Sequence, residues 1–353
     1  METRILGTTK EDIKEAAHIL QKGGLVAFPT ETVYGLGADA LNPEAVFKVY
    51  EAKGRPGDNP MIVHISEQKQ LYQLTFEITD DMETLMEAFW PGPLTMITPA
   101  RPEVPRVTTG GLDTVAVRMP DNATTLELIS ETGKPLAGPS ANLSGHPSPT
   151  TPRHVEDDLQ DRIDAIIQGD DCRVGIESTV VDMTEDIPVI LRPGVITREQ
   201  LSKVLGKNVR IDENIFKKPV LGKDIQKTKE EDSDPKNSLL IADDDFKPKS
   251  PGMKYKHYAP KAEMIIFRGE PEKVRLAIAE EKMFRIQCGQ KVGVLIYDND
   301  NPAEAAHDFF AQLRAFDKSG VDVIIAAALE ESGVGLAVMN RMFKSAGYNI
   351  RDI

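Results

Sequence analysis

Basic and amide side chains crowd the segment AKGRPGDNPMIVHI, which covers residues 52–65. Lys53 and Arg55 lie one residue apart, where a helical pattern gives way to a loop broken by glycine and proline. A flexible ammonium beside a planar guanidinium suits a polyphosphate, because the guanidinium can bind two oxygens at once. Asn59 could hydrogen-bond a sugar or a phosphate. The pattern predicts an anion site, although the carboxyl end of a helix also attracts a cation such as Lys53.

Two further segments place a polar side chain among apolar strand residues. His64 lies inside the strand pattern MIVHI, where a lone histidine is more often structural than a substrate contact. Arg118 interrupts the apolar run TVAVRMP, and a buried arginine needs an anion. An internal carboxylate or the carboxylate of a substrate would satisfy it equally well, and the sequence favours neither.

Hydroxyl and amide groups cluster in two glycine-rich segments, residues 23–40 and 135–151. In the first, Thr30 and Thr32 follow an apolar strand, and composition alone favours an ordinary turn from a strand to a helix. This segment has neither the GxxxxGK[ST] spacing of a P-loop nor the GxGxxG spacing of a dinucleotide site. In the second, local turn formation and a hydroxyl-lined ligand wall both explain the density of Ser140, Asn142 and Ser148.

Two later motifs, GIESTVVDM and VILRPG, carry one candidate residue each. Ser178 precedes a strand and Arg192 follows one, so both could face the same end of a sheet. No Ser-His-Asp spacing is recognisable, and the six histidines lack the spacing of a transition-metal site. Together with the segments above, these motifs predict an anion-binding cleft without a dedicated metal site.

The elements that must position these residues follow from the hydrophobic pattern. The amino-terminal segment carries a capping box that starts at Thr9, and Asn42 starts a second helix. The residues of that second helix predicted to lie mostly on its buried side are Val46, Phe47, Val49 and Tyr50. A third helix is predicted over residues 80–89. Strands are predicted over residues 25–28, 61–65, 94–98, 114–118, 165–167, 179–182 and 189–191, and such a mixture forms an α/β sheet.

The sequence changes in character near residue 211. Residues 211–250 are charged, contain proline and are poor in aromatic residues, which is typical of a linker. The aromatic and basic segment SPGMKYKHYAP follows, and after it strands and helices alternate regularly in the pattern of a small parallel sheet. The predicted strands cover residues 263–267, 291–297 and 321–328, and the predicted helices lie near 272–284, 303–316 and 335–345. We therefore predict domains at residues 1–210 and 261–353, joined by a linker at 211–260.

Composition limits the class of protein and its partners. A chain of 353 residues is long enough for two domains. A formal charge of −14 argues against an electrostatic grip on nucleic acid. The two cysteines form no CxxC pair, the first residues lack the pattern of a signal peptide, and no run of about 18 apolar residues occurs. These features predict a cytoplasmic protein without a membrane partner.

Six of these segments occur in an order and spacing that resemble one family. The segments PTETVYGLG, KGRPGDNPMIVHI, PGPLT, PSANLSG, ESTVVD and LRPG are similar to the motifs of the threonylcarbamoyl-AMP synthases. The likeness covers about residues 7–205, and SPGMKYKHYAP and GVGLAVMNRMFKSAG resemble the longer, two-domain branch. The resemblance implies an α/β fold: a YrdC-type twisted mixed sheet with a large concave cleft, plus a smaller Rossmann-like parallel domain joined by a long linker. It also implies a nucleotidyltransferase that makes threonylcarbamoyl-AMP from L-threonine, bicarbonate and ATP, for a tRNA modification next to the anticodon.

The resemblance also implies two groups of site residues. Those matching the L-threonine site are Thr32, His64, Arg118, Gly138 and Ser178. Those matching the ATP and catalytic site are Lys53, Arg55, Asn59, Thr114, Ser140, Asn142, Ser148 and Arg192, with Tyr255 or Tyr258 touching or covering the nucleotide. Mg²⁺ would arrive with ATP, held mainly by its phosphates, and no prosthetic group is implied. The implied partners beyond the substrates are the enzymes that transfer the product to tRNA, with weak or no direct binding of tRNA.

Two other functions fit parts of the sequence. The same fold forms carbamoyl-adenylate in hydrogenase maturation, but that family adds acylphosphatase-like and zinc-finger segments whose counterparts this sequence does not show. An RNA-binding protein that acts by contact alone is disfavoured by the negative charge and by the full set of small-ligand residues.

Overall fold

The computed structural model describes residues 2–216 and 257–353, which form one sheet of eleven strands and one of four. The strands of the large sheet are β1 Arg4–Leu6, β2 Val26–Phe28, β3 Gly35–Asp39, β4 Ile62–His64, β5 Leu94–Pro99, β6 Thr114–Arg118, β7 Leu136–Ala137, β8 Ala165–Ile167, β9 Thr179–Asp182, β10 Val189–Arg192 and β11 Arg210–Ile211. Its helices are α1 Lys10–Gln21, α2 Pro43–Lys53, α3 Asp80–Phe89, α4 Ala123–Thr132, α5 Pro152–Leu159 and α6 Arg198–Leu205. Short 3₁₀ segments cover Gln68–Gln73 and Glu213–Phe216.

The large sheet has the order β1-β8-β2-β3-β7-β4-β6-β5-β9-β10-β11 and mixes parallel and antiparallel neighbours, which confirms the predicted fold class. In the parallel pair β4–β6, His64 lies opposite Arg118, so two predicted site residues end adjacent strands. Strands β9 and β10 are antiparallel. Ser178, which precedes β9, and Arg192, which ends β10, therefore lie at the same end of the sheet, as predicted.

Local sequence signals account for the helix starts. The Thr9 hydroxyl accepts the amide of Asp12, and the Asp12 carboxylate accepts the amide of Thr9, which forms the predicted capping box. The Asn42 side chain accepts two amides of α2. The third helix covers the predicted residues. The prediction for Phe47 is wrong: its side chain is 41% exposed, because other residues of α2 already fill the buried side.

The segment between β2 and β3 does not lead from a strand into a helix, as composition favoured. It joins two antiparallel neighbours, with Phe28 opposite Gly35. A Cβ added at Gly35 would lie 2.7 Å from the Phe28 ring, and one added at Gly37 would lie 3.0 Å from it. Glycine is required here because the ring approaches the backbone so closely, and the segment forms a strand despite its low strand propensity.

The small sheet has the order β13-β14-β12-β15 and is parallel throughout, which confirms the predicted smaller parallel unit. Its strands are β12 Glu263–Arg268, β13 Val292–Leu295, β14 Val323–Ala327 and β15 Ile350–Asp352. Its helices are α7 Pro271–Gln287, α8 Pro302–Ser319 and α9 Gly333–Ser345. The sequence pattern missed β15, which is only three residues long.

The core beneath the small sheet includes residues from the first half of the chain. Val33 and Ile176 share one buried apolar cluster with Tyr258, Phe310 and Met339. The predicted domain boundaries stay predictions, and most of the predicted linker at 211–260 lies outside the described residues. No helix within residues 2–216 and 257–353 is both long and apolar enough to cross a bilayer.

Candidate functional site

A cleft opens at the carboxyl ends of β4 and β6, between the β2–β3 connection and the loop after β7. Most of the predicted site residues line it: Thr32, Lys53, Arg55, His64, Arg118, Gly138, Ser140, Asn142, Ser148, Ser178, Arg192 and Tyr258. His257, next to Tyr258, also lines the cleft, so the carboxyl-terminal end of the predicted linker reaches the site. The structure therefore brings together residues as far apart in the sequence as Thr32 and Tyr258.

Two predicted residues, Thr114 and Asn59, do not line this cleft. Thr114 begins β6 and lies opposite Pro99, away from the site. Asn59 is buried, and its backbone carbonyl accepts the Tyr50 hydroxyl at 3.1 Å. Tyr255 lies outside the described residues. The roles assigned to all three by resemblance stay predictions.

Arg118 already has an internal anion. Its Nη2 atom lies 2.5 Å from Oε2 of Glu31, and both side chains are almost wholly buried. The two atoms are not aligned as a hydrogen bond, so the contact is a close ion pair. The other nitrogens of Arg118 donate to the Thr32 hydroxyl at 2.9 Å and to the Gly92 carbonyl at 3.1 Å. The alternative of an internal carboxylate is thus correct, and a substrate carboxylate would be a second anion beside the same guanidinium.

His64 is held neutral next to Arg118. Burial, together with the positive charge of Arg118, lowers the pKa of His64 to about 3. The Nδ1 atom has no hydrogen-bond partner among the described residues. The ring packs edge-on against Phe28, with the ring centres 5.6 Å apart, and a Cβ added at Gly138 would lie 2.8 Å from Nδ1. The imidazole can therefore offer a buried, uncharged nitrogen to a ligand.

Lys53 is hydrogen-bonded to the loop after β7. Its Nζ atom donates to the carbonyl of Asn142 at 2.5 Å and to that of Ser140. Burial, followed by the charge of Arg55, holds the pKa of Lys53 well below its ordinary value. Arg55 in turn donates to the Pro60 carbonyl at 3.0 Å. Lys53 therefore contacts carbonyls of a neighbouring loop rather than those at the end of its own helix.

Ser178 and Arg192 are joined directly. The guanidinium of Arg192 donates to the Ser178 hydroxyl and to the Ser178 carbonyl, each at 3.1 Å. The Ser178 hydroxyl also lies 2.7 Å from the hydroxyl of Thr95. Burial lowers the pKa of Arg192 to about 10, so the side chain stays charged at neutral pH. The pair gives the cleft a fixed cation beside a fixed hydroxyl.

Tyr258 closes the cleft from the side of the small sheet. Its ring lies 5.1 Å from that of Phe310 of α8, and its backbone adopts a left-handed conformation, with a φ of 61°. Burial, followed by the charge of Glu177, raises the pKa of Tyr258 to about 12. Burial also lowers the pKa of His257 to about 3. Two uncharged rings thus stand at the mouth of a cationic cleft.

Two family models match consecutive parts of the chain. The first, described as "Telomere recombination", matches residues 18–194. The second, described as "Threonylcarbamoyl-AMP synthase, C-terminal domain", matches residues 196–347. A protein of Pyrococcus abyssi named threonylcarbamoyl-AMP synthase is 47% identical over 348 residues, which are 96% of this chain and 95% of the relative.

The chain belongs to the threonylcarbamoyl-AMP synthase family. A Bacillus subtilis protein of the same name is 45% identical over 360 residues, covering 97% of this chain and 95% of that protein. The crystal structure of Pyrococcus abyssi Sua5 complexed with L-threonine has a TM-score of 0.88 and 45% identity. The structural match covers 99% of this chain and 100% of the Pyrococcus abyssi chain.

Sequence reasoning missed two acidic residues of this family member. Glu31 pairs with Arg118, and Glu177 lines the cleft beside Ser178. Both lie inside quoted motifs, PTETVYGLG and ESTVVD, and each stands directly before a predicted site residue. An acidic residue inside an apolar motif was the signal available for both.

Within residues 2–216 and 257–353, no group of three His, Cys, Asp or Glu side chains could hold a metal ion.

Proposed function

We propose that this protein synthesises L-threonylcarbamoyl-AMP from L-threonine, bicarbonate and ATP. The neutral amine of threonine attacks the carbon of bicarbonate, giving a carbamate and water. A carbamate oxygen then attacks the α-phosphorus of ATP and pyrophosphate leaves. The observation that carries this proposal is identity of 45–47%, along nearly the whole of both chains, to proteins named for this product.

We assign threonine to the half of the cleft around Arg118. The substrate carboxylate would lie beside the guanidinium, whose hydrogen bond to Thr32 fixes both groups. The neutral His64 ring and the Ser178 hydroxyl offer polar contacts of the kind that a hydroxylated amino acid needs. L-threonine in the related Pyrococcus abyssi structure supports this choice of amino acid.

We assign ATP to the half of the cleft that carries Arg55, Arg192 and the loop after β7. The charge of Arg192 would stabilise the phosphates, and MgATP is the form in which the nucleotide is expected to bind. Transfer to the α-phosphorus requires positioning and charge stabilisation more than covalent catalysis. The hydroxyl of Ser148 and the backbone held by Lys53 supply fixed polar groups for this purpose.

The product would serve tRNA modification through a later transfer enzyme. The free cysteines, Cys172 and Cys288, support a reducing compartment such as the cytoplasm. The net charge of −14 supports weak or no direct binding of tRNA.

The test is a pyrophosphate-release assay with the purified full chain and MgATP. Release should require L-threonine and bicarbonate together. Release at the same rate without threonine would reduce the protein to an ATP hydrolase and refute the proposal.

A further inference from the structure

Arg341 of α9 reaches from the small sheet to the wall of the cleft. Its side chain is fully buried, with an exposed fraction of 0%. Its Nε atom donates to the Glu177 carboxylate at 3.0 Å, and Nη2 donates to the Glu177 carbonyl at 3.3 Å. Its Nη1 atom donates to the Pro193 carbonyl. One guanidinium therefore contacts the residue just before Ser178 and the residue just after Arg192.

The Glu177 carboxylate extends this contact to a third cleft residue. Its second oxygen accepts the Ser148 hydroxyl at 2.6 Å. Burial alone would raise the pKa of Glu177, but the charges of Arg341 and Arg192 and the hydrogen bond from Ser148 outweigh it and lower the pKa. The carboxylate is thus a charged link between α9 and the loop after β7.

The two strand ends held by Arg341 also pack tightly on each other. A Cβ added at Gly194 would lie 2.4 Å from the Thr179 amide nitrogen. The Thr179 hydroxyl donates to the Ile196 carbonyl at 2.7 Å. Because the two backbone segments are packed in direct contact, a shift of Glu177 or Pro193 must move Ser178 and Arg192 as well.

We propose that Arg341 is a positioning residue for the synthase reaction, which sets the place of Ser148, Ser178 and Arg192 through Glu177 and the Pro193 carbonyl. Arg341 itself does not line the cleft. The inference rests on the proposed function, and it gives the carboxyl-terminal part of the chain a role inside the active site. Since misplacing a reacting group by about 1 Å can cost roughly 100-fold in rate, this role should be visible in the kinetics.

The experiment compares pyrophosphate release per folded molecule for the full chain and five variants, one of which is the single variant Glu177→Gln. Arg341→Met should lower kcat/KM for ATP by roughly 10–100-fold. Arg341→Lys should recover part of this loss, because an ammonium can pair with Glu177 but cannot also reach Pro193. The double variant Glu177→Gln with Arg341→Met should be less impaired than the product of the two single losses, because the glutamine no longer needs a cation.

Asn340→Ala is the matched control. Asn340 lies next to Arg341 in α9, is equally buried, and donates to the Ile215 carbonyl at 2.9 Å without touching the cleft. It should lower the melting temperature while leaving the kinetic constants of the folded protein unchanged. If Arg341→Met behaves in the same way as Asn340→Ala, Arg341 only docks α9 and the proposal is wrong.

Two further outcomes separate the possible failures. If Arg341→Met does not fold, the Lys variant and the double variant decide, and wild-type kinetics in either overturns the positioning role. If the unmodified protein releases no pyrophosphate in response to threonine and bicarbonate, the proposed function fails. Normal turnover by the unmodified protein and by Arg341→Met refutes only the positioning role.

Discussion

The guanidinium of Arg118 and the carboxylate of Glu31 lie 2.5 Å apart, deep in the wall of the cleft. The pair resolves a choice that the sequence left open, because an arginine buried at the end of an inner strand needs an anion whether or not substrate is bound. It also changes what is expected of the site. At the site that we propose for threonine, the guanidinium is already oriented by Glu31, Thr32 and the Gly92 carbonyl.

Glu31→Gln keeps the shape of the side chain and removes its charge. Removing one partner of a buried pair costs about 3–5 kcal/mol, so the free energy of unfolding should fall by an amount of that order. If the threonine carboxylate binds beside Arg118, it replaces the missing charge. L-threonine should then raise the melting temperature of the variant more than that of the unmodified protein.

Glu15→Gln is the control for this substitution. Glu15 pairs with Arg4 at 2.7 Å on the surface, where an ion pair contributes only about 0–1 kcal/mol. An equal threonine-induced shift in the Glu31→Gln variant and in the unmodified protein would place the carboxylate elsewhere.

Gly138→Ala tests how closely His64 and Phe28 approach the backbone. The added Cβ would lie 2.8 Å from His64 Nδ1 and 2.9 Å from the Phe28 ring, so both side chains must move. We expect the KM for threonine to rise by roughly 5–150-fold, since overpacking a tight site costs roughly 1–3 kcal/mol. The measurement is KM for threonine at saturating ATP, and an unchanged value would show that the site relaxes freely.

The lowered pKa of His64 makes the free energy of unfolding decrease as the pH falls. Its pKa is about 3 in the folded protein and about 6.5 in the unfolded chain, so the unfolded chain binds the proton first as the pH falls. The His64 contribution is therefore lost below pH 6.5, at about 1.4 kcal/mol for each pH unit. His64→Gln should flatten the pH dependence measured by urea unfolding between about pH 6.5 and pH 5. The comparison is His18→Gln on the exposed side of α1, and equal slopes in the two variants would contradict the account.

Several parts of the fold could be predicted because they depend on local signals. The capping box at Thr9 and the apolar strand at 114–118 depend on residues that are close together in the sequence, and both appear where predicted. Strand β3 could not be predicted, because its glycines become strand residues only by pairing with β2 under the Phe28 ring. Phe47 was misplaced because helical spacing does not say how wide the buried side is.

The residues of the site likewise divide into those that local motifs identify and those that depend on the tertiary structure. Motifs identified most of the polar residues that line the cleft, but neither Glu177 nor the partners of these residues. The partner of Arg118 is Glu31, and that of Glu177 is Arg341, which is 164 residues away in the chain. Such pairs depend on the complete tertiary structure, and one sequence contains no signal for them.

Tyr258 should contribute through its ring more than through its hydroxyl. An aromatic ring stacked on a base contributes roughly 1–3 kcal/mol by alanine substitution, which corresponds to about 5–150-fold in affinity. Tyr258→Ala should therefore raise the KM for ATP within that range, while Tyr258→Phe keeps the Phe310 contact and most of the affinity. Equal KM values for the two variants would show that Tyr258 does not cover the nucleotide.

The most direct test of the account is to identify the product. The purified full chain is incubated with MgATP, L-threonine and ¹³C-bicarbonate, and the nucleotide fraction is analysed by mass spectrometry. We expect threonylcarbamoyl-AMP carrying the ¹³C label, with serine giving roughly 10–200-fold less product because a methyl contact is lost. AMP or ADP as the only nucleotide product, with no label attached to any adenylate, would contradict it.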